Sequence, residues 1–161
     1  MRCLKRCTVL AFAVVFVGCT VPSEPAGQRS TSGALSRLEQ EVHRLVNRYR
    51  MSQNLAPLTT REIITGQARM HSRAMAEKRS SLGHRGFGKR VERISRCLPL
   101  RAVAENVGYN KGYPDCAQRA FDVWLDSAEH RRNMEGDYRL TGIGVVRDSQ
   151  GAYYFTQIFW E

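Results

Sequence analysis

A short apolar run near the N-terminus most constrains what this chain can fold into. Val9 to Val17 contains no polar residue, follows a basic head with Arg2, Lys5 and Arg6, and stops at Gly18-Cys19. A membrane-spanning helix needs about 20 apolar residues, so the run is too short to span a bilayer and is typical of a secretion signal. We therefore expect an exported protein, folded from the residues that follow.

The end of this signal, from Phe16 to Cys19, resembles a bacterial lipoprotein signal, in which a small residue precedes a cysteine that is lipidated and becomes the mature N-terminus. Phe16 departs from the leucine that is usual at its position. The resemblance implies a signal peptide over residues 1–18 and an acylated Cys19. Since acyl chains contribute about 0.8 kcal/mol per buried methylene, Cys19 would hold the protein on a membrane surface. The alternative is an ordinary cleaved signal in which Cys19 is incidental.

The residues after Cys19 have the composition of a linker. Thr20 to Gly33 combines Pro, Gly, Ser and Thr with few apolar side chains, which favours a flexible tether. We expect a tether over residues 19–33 and one folded domain over residues 34–161, a length that suits a single core.

The chain is basic, with 25 Lys and Arg against 15 Asp and Glu and a net charge of +10. Removal of residues 1–18 leaves 22 Lys and Arg against 15 Asp and Glu, a net charge of +7. This surplus favours anionic surfaces such as lipid headgroups or polymers. No nucleic-acid-binding module accompanies it, and we expect no nucleic-acid partner.

Apolar spacing predicts three main helices and three strands, an α+β fold with helices packed on an antiparallel sheet. A capping box formed by Thr59 and Glu62 predicts the start of the second helix. Ala117, Phe121, Trp124 and Ala128 predict a buried stripe on the third. The predicted helices are Leu35 to Met51, one after Thr59, a short one over Lys89 to Ser95 and one opened by Pro114-Asp115; the strands are Ala104 to Tyr109, Ile143 to Arg147 and Ala152 to Trp160.

The four histidines fall in different settings. We expect His43 to be solvated on the first helix and His71 to be a buried, hydrogen-bonded imidazole on the second, the alternative for His71 being a ligand role. His84 lies in a glycine-flanked loop, and His130 follows Glu129 near the end of the third helix. No local metal motif contains either of the last two, so a site would have to be assembled from distant parts of the chain.

Five cysteines are an odd number. Cys3 and Cys7 leave with the signal, and Cys19 is the candidate anchor. Cys97 and Cys116 flank the first predicted strand of an exported chain, so they are a candidate disulfide, with free thiols as the alternative.

A series of motifs in a fixed order resembles a bacterial member of the CAP superfamily, which comprises cysteine-rich secretory proteins, antigen-5 and plant pathogenesis-related proteins and is also called the SCP domain. The resemblance covers Glu41 to Trp160. Its motifs are Val46-Asn47-x-Tyr49-Arg50, Leu55-x-Pro57-Leu58, His71-Ser72-x-x-Met75-Ala76, His84-Arg85-Gly86-Phe87, Ala104-Glu105-Asn106-Val107, Trp124-x-x-Ser127-x-x-His130-Arg131-x-Asn133-Met134, Gly142-Ile143-Gly144-Val145 and Tyr153 to Phe159.

The resemblance implies an α-β-α sandwich with a small sheet between helices and a central cleft lined by histidine and glutamate. His84 matches the first histidine of that cleft, and Glu105 matches one glutamate. Tyr154 stands where relatives have the second histidine, and His130 lies where the bacterial pattern places a histidine. His84 and His130, with Glu105, are therefore candidate ligands for a divalent cation such as zinc, although no cofactor is required.

The resemblance implies a binding or interaction module of the cell envelope, periplasmic or surface-exposed, whose His84, Glu105, His130 and Tyr154 contact a lipid or another small molecule. The alternative is a hydrolase that uses a metal or a His–Glu pair, because a carboxylate beside a histidine can activate water. Ser72 and Ser127 have histidines nearby in sequence, but a catalytic triad is recognised by geometry. Trp124, Phe155, Phe159 and Trp160 are predicted to belong to the core.

Overall fold

A computed structural model of the protein describes residues 26–161, with side chains described from Gly33 onward. The predicted signal peptide at 1–18, the lipidated Cys19 and the first residues of the tether lie outside the described residues. The elements are α1 (Ala26–Ser52), β1 (Thr59–Thr60), α2 (Glu62–Ala76), α3 (Phe87–Ser95), β2 (Val103–Lys111), α4 (Cys116–Asp126), α5 (Ala128–Glu135), β3 (Leu140–Arg147) and β4 (Ala152–Trp160). Within residues 26–161, no helix has the length and apolarity needed to cross a bilayer.

The strands form one sheet in the order β1-β3-β4-β2. The predicted hairpin of β3 and β4 is confirmed, and β2 pairs antiparallel with β4 along its whole length. One edge differs from the expected antiparallel sheet, because β1 pairs in parallel with β3 and makes the sheet mixed. Helices cover both faces, which gives the expected α-β-α sandwich.

The capping box predicted from Thr59 and Glu62 is wrong. Thr59 is in β1, and α2 starts at Glu62 after Arg61, which has extended backbone and no side-chain cap. The backbone N–H groups of Thr59 and Arg61 donate instead to the carbonyls of Arg139, just before β3, and of Thr141 within it. A pairing partner about 80 residues away in sequence therefore overrides the local capping signal.

Two glycines in β3 set the distance between the sheet and α2. A Cβ added to Gly142 would collide with the backbone of Ile64 and Thr65, and one added to Gly144 would collide with the backbone of Ala68 and Arg69. Because neither glycine has a side chain, the helix backbone lies directly on the strand.

The opposite face of the sheet carries the larger core, with Trp124, Phe155 and Phe159 fully buried against α1 and α4. The Trp124 indole N–H donates to the carbonyl of Val107 at 3.1 Å. Trp160 is also fully buried, on the face that α2 covers. The four aromatic residues predicted to belong to the core are confirmed there.

Arg50 ties the end of α1 to distant loops. Its guanidinium is buried and donates to four carbonyls, those of Ala56 at 2.9 Å, Met134 at 2.7 Å, Gly136 at 2.9 Å and Tyr138 at 3.2 Å. Burial lowers the pKa of Arg50, but the four acceptors compensate for much of the lost solvation of the cation.

The predicted helical boundaries differ from the structure at two places. Instead of one long third helix, α4 ends at Asp126 and α5 starts at Ala128, with Ser127 between them as the N-cap of α5. Ala128 is consequently exposed and does not belong to the predicted buried stripe. At the N-terminal side, α1 starts at Ala26, so the last residues of the segment 19–33 predicted as a tether are helical.

Cys97 and Cys116 are free thiols, so the candidate disulfide between them is wrong. Cys97 is exposed after α3, before β2 starts, and Cys116 is buried at the start of α4, after β2 ends. The nine residues of β2 span about 30 Å, and a disulfide needs Cα atoms about 4.4 to 6.8 Å apart.

Gly144→Ala is expected to destabilise the domain by at least about 3 kcal/mol, because the strand and α2 must separate to admit a methyl group. The matched control is Gly66→Ala in α2, where a Cβ meets nothing within 4 Å. That change should stabilise the domain by about 0.5 to 1 kcal/mol. Urea unfolding of both variants measures the difference, and equal stabilities would contradict this packing.

Cys97 should react rapidly with a water-soluble disulfide reagent in the native protein, whereas burial hinders Cys116 and raises the pKa of its thiol. Cys97→Ser should therefore remove one fast-reacting thiol, and Cys116→Ser should remove none. If neither residue reacts until a reductant is added, the two cysteines form the disulfide after all.

Candidate functional site

The centre of the candidate site is a buried ion pair between β2 and α3. The Glu105 side chain is only 1% exposed and accepts two hydrogen bonds from Arg90, Nε to Oε2 at 2.8 Å and Nη2 to Oε1 at 2.7 Å. This bidentate geometry is the strongest that a carboxylate and a guanidinium can form, and it compensates for burying both charges.

His84 is hydrogen-bonded to the same carboxylate. Its Nδ1 lies 3.0 Å from Glu105 Oε1, and its side chain is 49% exposed. An ionised carboxylate only accepts hydrogen bonds, so Nδ1 carries a hydrogen and donates it. The other ring nitrogen, Nε2, is then the atom that His84 offers to a ligand.

Two further contacts hold the loop that carries His84. His71 on α2 is buried, as expected, and its Nε2 lies 2.7 Å from the carbonyl of Gly83. Arg90 Nη1 donates to the carbonyl of Arg85 at 3.0 Å. The residues on both sides of His84 are therefore fixed, and the imidazole is oriented by the backbone as well as by Glu105.

His130 lies across the edge strand β2 from this loop. The backbone carbonyl of His130 accepts a hydrogen bond from Asn106 Nδ2 at 3.0 Å. The buried Nδ1 of the His130 ring has no hydrogen-bond partner within the described part of the chain. Burial lowers the pKa of His130; Glu129 opposes that shift, while His84 adds to it.

Tyr154 lies farther along the sheet. It pairs with Tyr109, four residues beyond Glu105 on β2, which is about 13 Å along a strand. The two tyrosine rings pack edge to face with centroids 5.2 Å apart. The structure thus brings His84 and Glu105 into direct contact and leaves Tyr154 outside that contact.

Tyr154 instead lines a surface pocket of about 460 Å³. Leu82 belongs to this pocket and to the same loop as His84, so the pocket adjoins the histidine. Its lining is mainly apolar and aromatic, with one cation. The lining residues are Met75, Lys78, Ser80, Ser81, Leu82, Tyr109 and Tyr154.

The motifs and the sandwich agree with a match to the model of the cysteine-rich secretory protein family, CAP, over residues 43–159. The chain belongs to the CAP family. The resemblance to this family is therefore confirmed for the domain.

Solved structures of bacterial CAP-fold proteins share the architecture. An extracellular protein from Bacillus anthracis that contains an SCP domain superposes with a TM-score of 0.70 at 22% identity, over 86% of this chain and 45% of its own. An outer surface protein from Borrelia burgdorferi superposes with a TM-score of 0.67 at 17% identity, over 78% of this chain and 92% of its own. A cysteine-rich secretory protein from Staphylococcus aureus superposes with a TM-score of 0.60 at 21% identity, over 78% of this chain and 39% of its own.

These identities establish the fold alone. The chain spans less than half the length of the Bacillus and Staphylococcus proteins. A search of curated proteins finds no match.

The donor atoms of this CAP domain do not suit a divalent cation as they are arranged. Both oxygens of Glu105 are engaged by Arg90, whose positive charge lies 2.7 Å from Oε1 and would repel a metal ion. Among the residues the structure describes, no group of three His, Cys, Asp or Glu side chains is placed to hold a metal. A zinc site that joined Glu105 to His84 and His130 would require Arg90 to leave.

Sequence reasoning missed Arg90 and misjudged His43. Arg90 stands one helical turn before the buried Ile94, an inward position on α3, and that spacing was the available signal. His43 is half-buried, with Nε2 2.9 Å from the carbonyl of Leu58 and 3.0 Å from Asn47 Nδ2. It supports the loop before β1 and lies outside the site.

Acidification should destabilise the domain between about pH 7 and pH 5. Burial lowers the pKa of His71 and of His130 from the ordinary value of 6.5, so in this window the unfolded chain binds more protons than the folded chain. The free energy of unfolding therefore falls as the pH falls.

Urea unfolding at pH 7 and pH 5.5 measures this loss. The double variant His71→Gln/His130→Gln should lose less stability on acidification than the wild type, and His71→Gln keeps a side-chain N–H for the Gly83 carbonyl. An equal loss in both proteins would mean that these imidazoles are not the groups responsible.

Proposed function

We propose that this CAP-domain protein is exported, is held on a membrane of the cell envelope by lipidated Cys19, and binds a small amphipathic ligand such as a lipid at His84 and the adjoining pocket. The observation that carries the proposal is the half-exposed His84 imidazole, oriented by buried Glu105 and two residues from Leu82, which lines an amphipathic pocket. The signal-like N-terminus supports export. So do the extracellular and outer-surface descriptions of its structural neighbours.

The polar part of the ligand would meet His84. In the neutral imidazole Nε2 is a hydrogen-bond acceptor, and in the charged form it is a donor, so it suits a hydroxyl or an anionic group. Lys78 provides a cation at the pocket. These groups fix orientation, as the few polar atoms of small-molecule sites generally do.

The apolar part would cover the pocket. Leu82 is 56% exposed and Tyr109 is 46% exposed, so both have surface to bury against a ligand. Burial of apolar surface contributes about 25 cal/mol per Å². Tyr154, predicted as a ligand contact, enters the proposal through this pocket.

Two serines considered as nucleophiles have structural roles. Ser72 Oγ is buried, donates to the Gly144 carbonyl at 2.9 Å and accepts from Thr156 Oγ1 at 2.8 Å. Ser127 Oγ caps α5. Neither hydroxyl is in contact with His84, which favours binding over nucleophilic catalysis.

One observation favours a second candidate, a hydrolase. A carboxylate that holds Nδ1 of a histidine leaves Nε2 positioned as a general base toward water, as in hydrolytic sites. Glu105 itself would orient the histidine and would not accept the proton, because Arg90 engages both of its oxygens. The substrate would be an ester or peptide bound in the same pocket.

Native mass spectrometry of protein extracted from membranes tests the binding proposal. The wild type should carry a co-purified ligand. His84→Ala should bind it with about tenfold lower affinity and so carry less of it, because one hydrogen bond contributes about 1 to 1.5 kcal/mol and 1.4 kcal/mol is tenfold in the dissociation constant. Arg132→Ala, an exposed position on α5, is the control and should keep the ligand.

The same preparations separate the alternatives. Turnover of an ester or peptide substrate that is lost in His84→Ala would favour the hydrolase. Calorimetric titration with zinc should show no uptake that depends on His84 and His130. Equal ligand content in His84→Ala and in the wild type would contradict the binding proposal.

A further inference from the structure

We infer that one end of the domain docks on an anionic phospholipid bilayer, so that the pocket beside His84 opens onto the membrane. We call this end the docking face and define it by Leu82, Tyr109, Tyr113, Lys78 and Lys111. The inference rests on the proposed function, because that proposal supplies the ligand and the anchor.

The docking face exposes three large apolar side chains, of which Leu82 and Tyr109 line the same pocket. Leu82 is 56% exposed, and Tyr109 and Tyr113 are each 46% exposed. Leu82 follows α2, and the two tyrosines lie at and just beyond the end of β2. Tyrosine has an apolar ring and a polar hydroxyl, which suits it to the boundary between headgroups and acyl chains.

The charge of this end complements an anionic surface. Lys78 and Lys111 are exposed and form no ion pair within residues 26–161. Among the acidic groups of this end, Glu77 pairs with Arg79. Asp115 caps α4, and Asp148 accepts from the backbone N–H groups of Gln150 and Ala152 and from the Tyr154 hydroxyl; both keep their negative charges and are outnumbered by the cations. Arg119 and Arg147 lie over the rings of Tyr113 and Tyr153.

The direction of α1 brings the chain into the domain at the same end. Arg50, in its last turn, contacts the carbonyl of Tyr138 before β3, whereas Glu39 accepts from the backbone N–H of Val145 near the end of β3. The helix therefore runs antiparallel to β3, and its first residues lie beyond the turn between β3 and β4. The end of β2 lies at that turn, because Lys111 pairs with Ala152.

The remaining length of chain keeps the anchor close to this end. Cys19 precedes Ala26, the first residue of α1, by seven residues, which span at most about 25 Å. A lipid on Cys19 would therefore hold the docking face toward the bilayer. A lipid ligand could then enter the pocket from the bilayer.

A soluble anionic polymer is a different partner with the same charge. It would be attracted by Lys78 and Lys111 but would gain nothing from Leu82 and the two tyrosines. The exposed apolar side chains therefore favour a bilayer, and they provide the means to separate the two partners.

Sedimentation with vesicles of phosphatidylcholine and phosphatidylglycerol tests the inference on the full chain carrying Cys19→Ser, so that no acyl chain contributes. The apolar run Val9 to Val17 is present in every variant and sets a common baseline. The change Leu82→Ser/Tyr109→Ser/Tyr113→Ser should lower the vesicle partition coefficient at least tenfold. Lys78→Glu/Lys111→Glu should lower it by a similar factor and remove the preference over pure phosphatidylcholine vesicles.

Matched controls use exposed residues elsewhere. Met70, Leu100 and Val123 are 53%, 45% and 37% exposed, so Met70→Ser/Leu100→Ser/Val123→Ser removes comparable apolar surface. Arg93→Glu/Arg132→Glu reverses two exposed charges on α3 and α5. Both controls should bind vesicles as the unsubstituted chain does.

Binding that falls equally in the controls and in the docking-face variants would overturn the inference. So would a triple serine variant that binds normally while dextran sulfate displaces the protein, since that result indicates a polymer partner. If vesicle binding falls as expected but the wild type carries no ligand, docking stands and the proposed function fails. If docking variants bind normally while His84→Ala loses its ligand, the proposed function stands alone.

Discussion

The buried carboxylate of Glu105 is the interaction on which the candidate site depends. A charge in β2 with almost no exposure must be compensated, and Arg90 from α3 and His84 from the preceding loop both satisfy it. One carboxylate thereby joins a strand, a helix and a loop. Because Arg90 takes two of its hydrogen bonds, Glu105 acts as a support for His84 and is not free to bind a metal or accept a proton.

Local patterns predicted most of the elements. Apolar spacing predicted α1, α2 and α4, and β-branched and aromatic runs predicted the hairpin of β3 and β4. The errors came from distant contacts or from two signals in one segment. The pairing of β1 with β3 overrode the capping box predicted at Thr59. Ser127 caps a new helix within the apolar stripe that was predicted to continue to Ala128.

The candidate site was predicted by residue type and only partly by geometry. The family motifs indicated His84 and Glu105, which are in contact. The same motifs suggested a shared cation site, but they carry no information on Arg90, which lies in α3 outside them. Tyr154 was expected beside His84. The register of β2 and β4 pairs it with Tyr109, about 13 Å along β2 from Glu105, beside a pocket that no sequence pattern indicated.

The central claim is that Glu105 holds His84 by Nδ1 and leaves Nε2 free for a ligand. Two-bond ¹⁵N–¹H correlation spectra of the histidine rings, recorded at a pH where the imidazoles are neutral, test it directly. The structure predicts that His84 has its hydrogen on Nδ1 and a bare Nε2, and that Glu105→Gln disturbs this preference. A His84 ring with its hydrogen on Nε2 in the wild type would contradict the account.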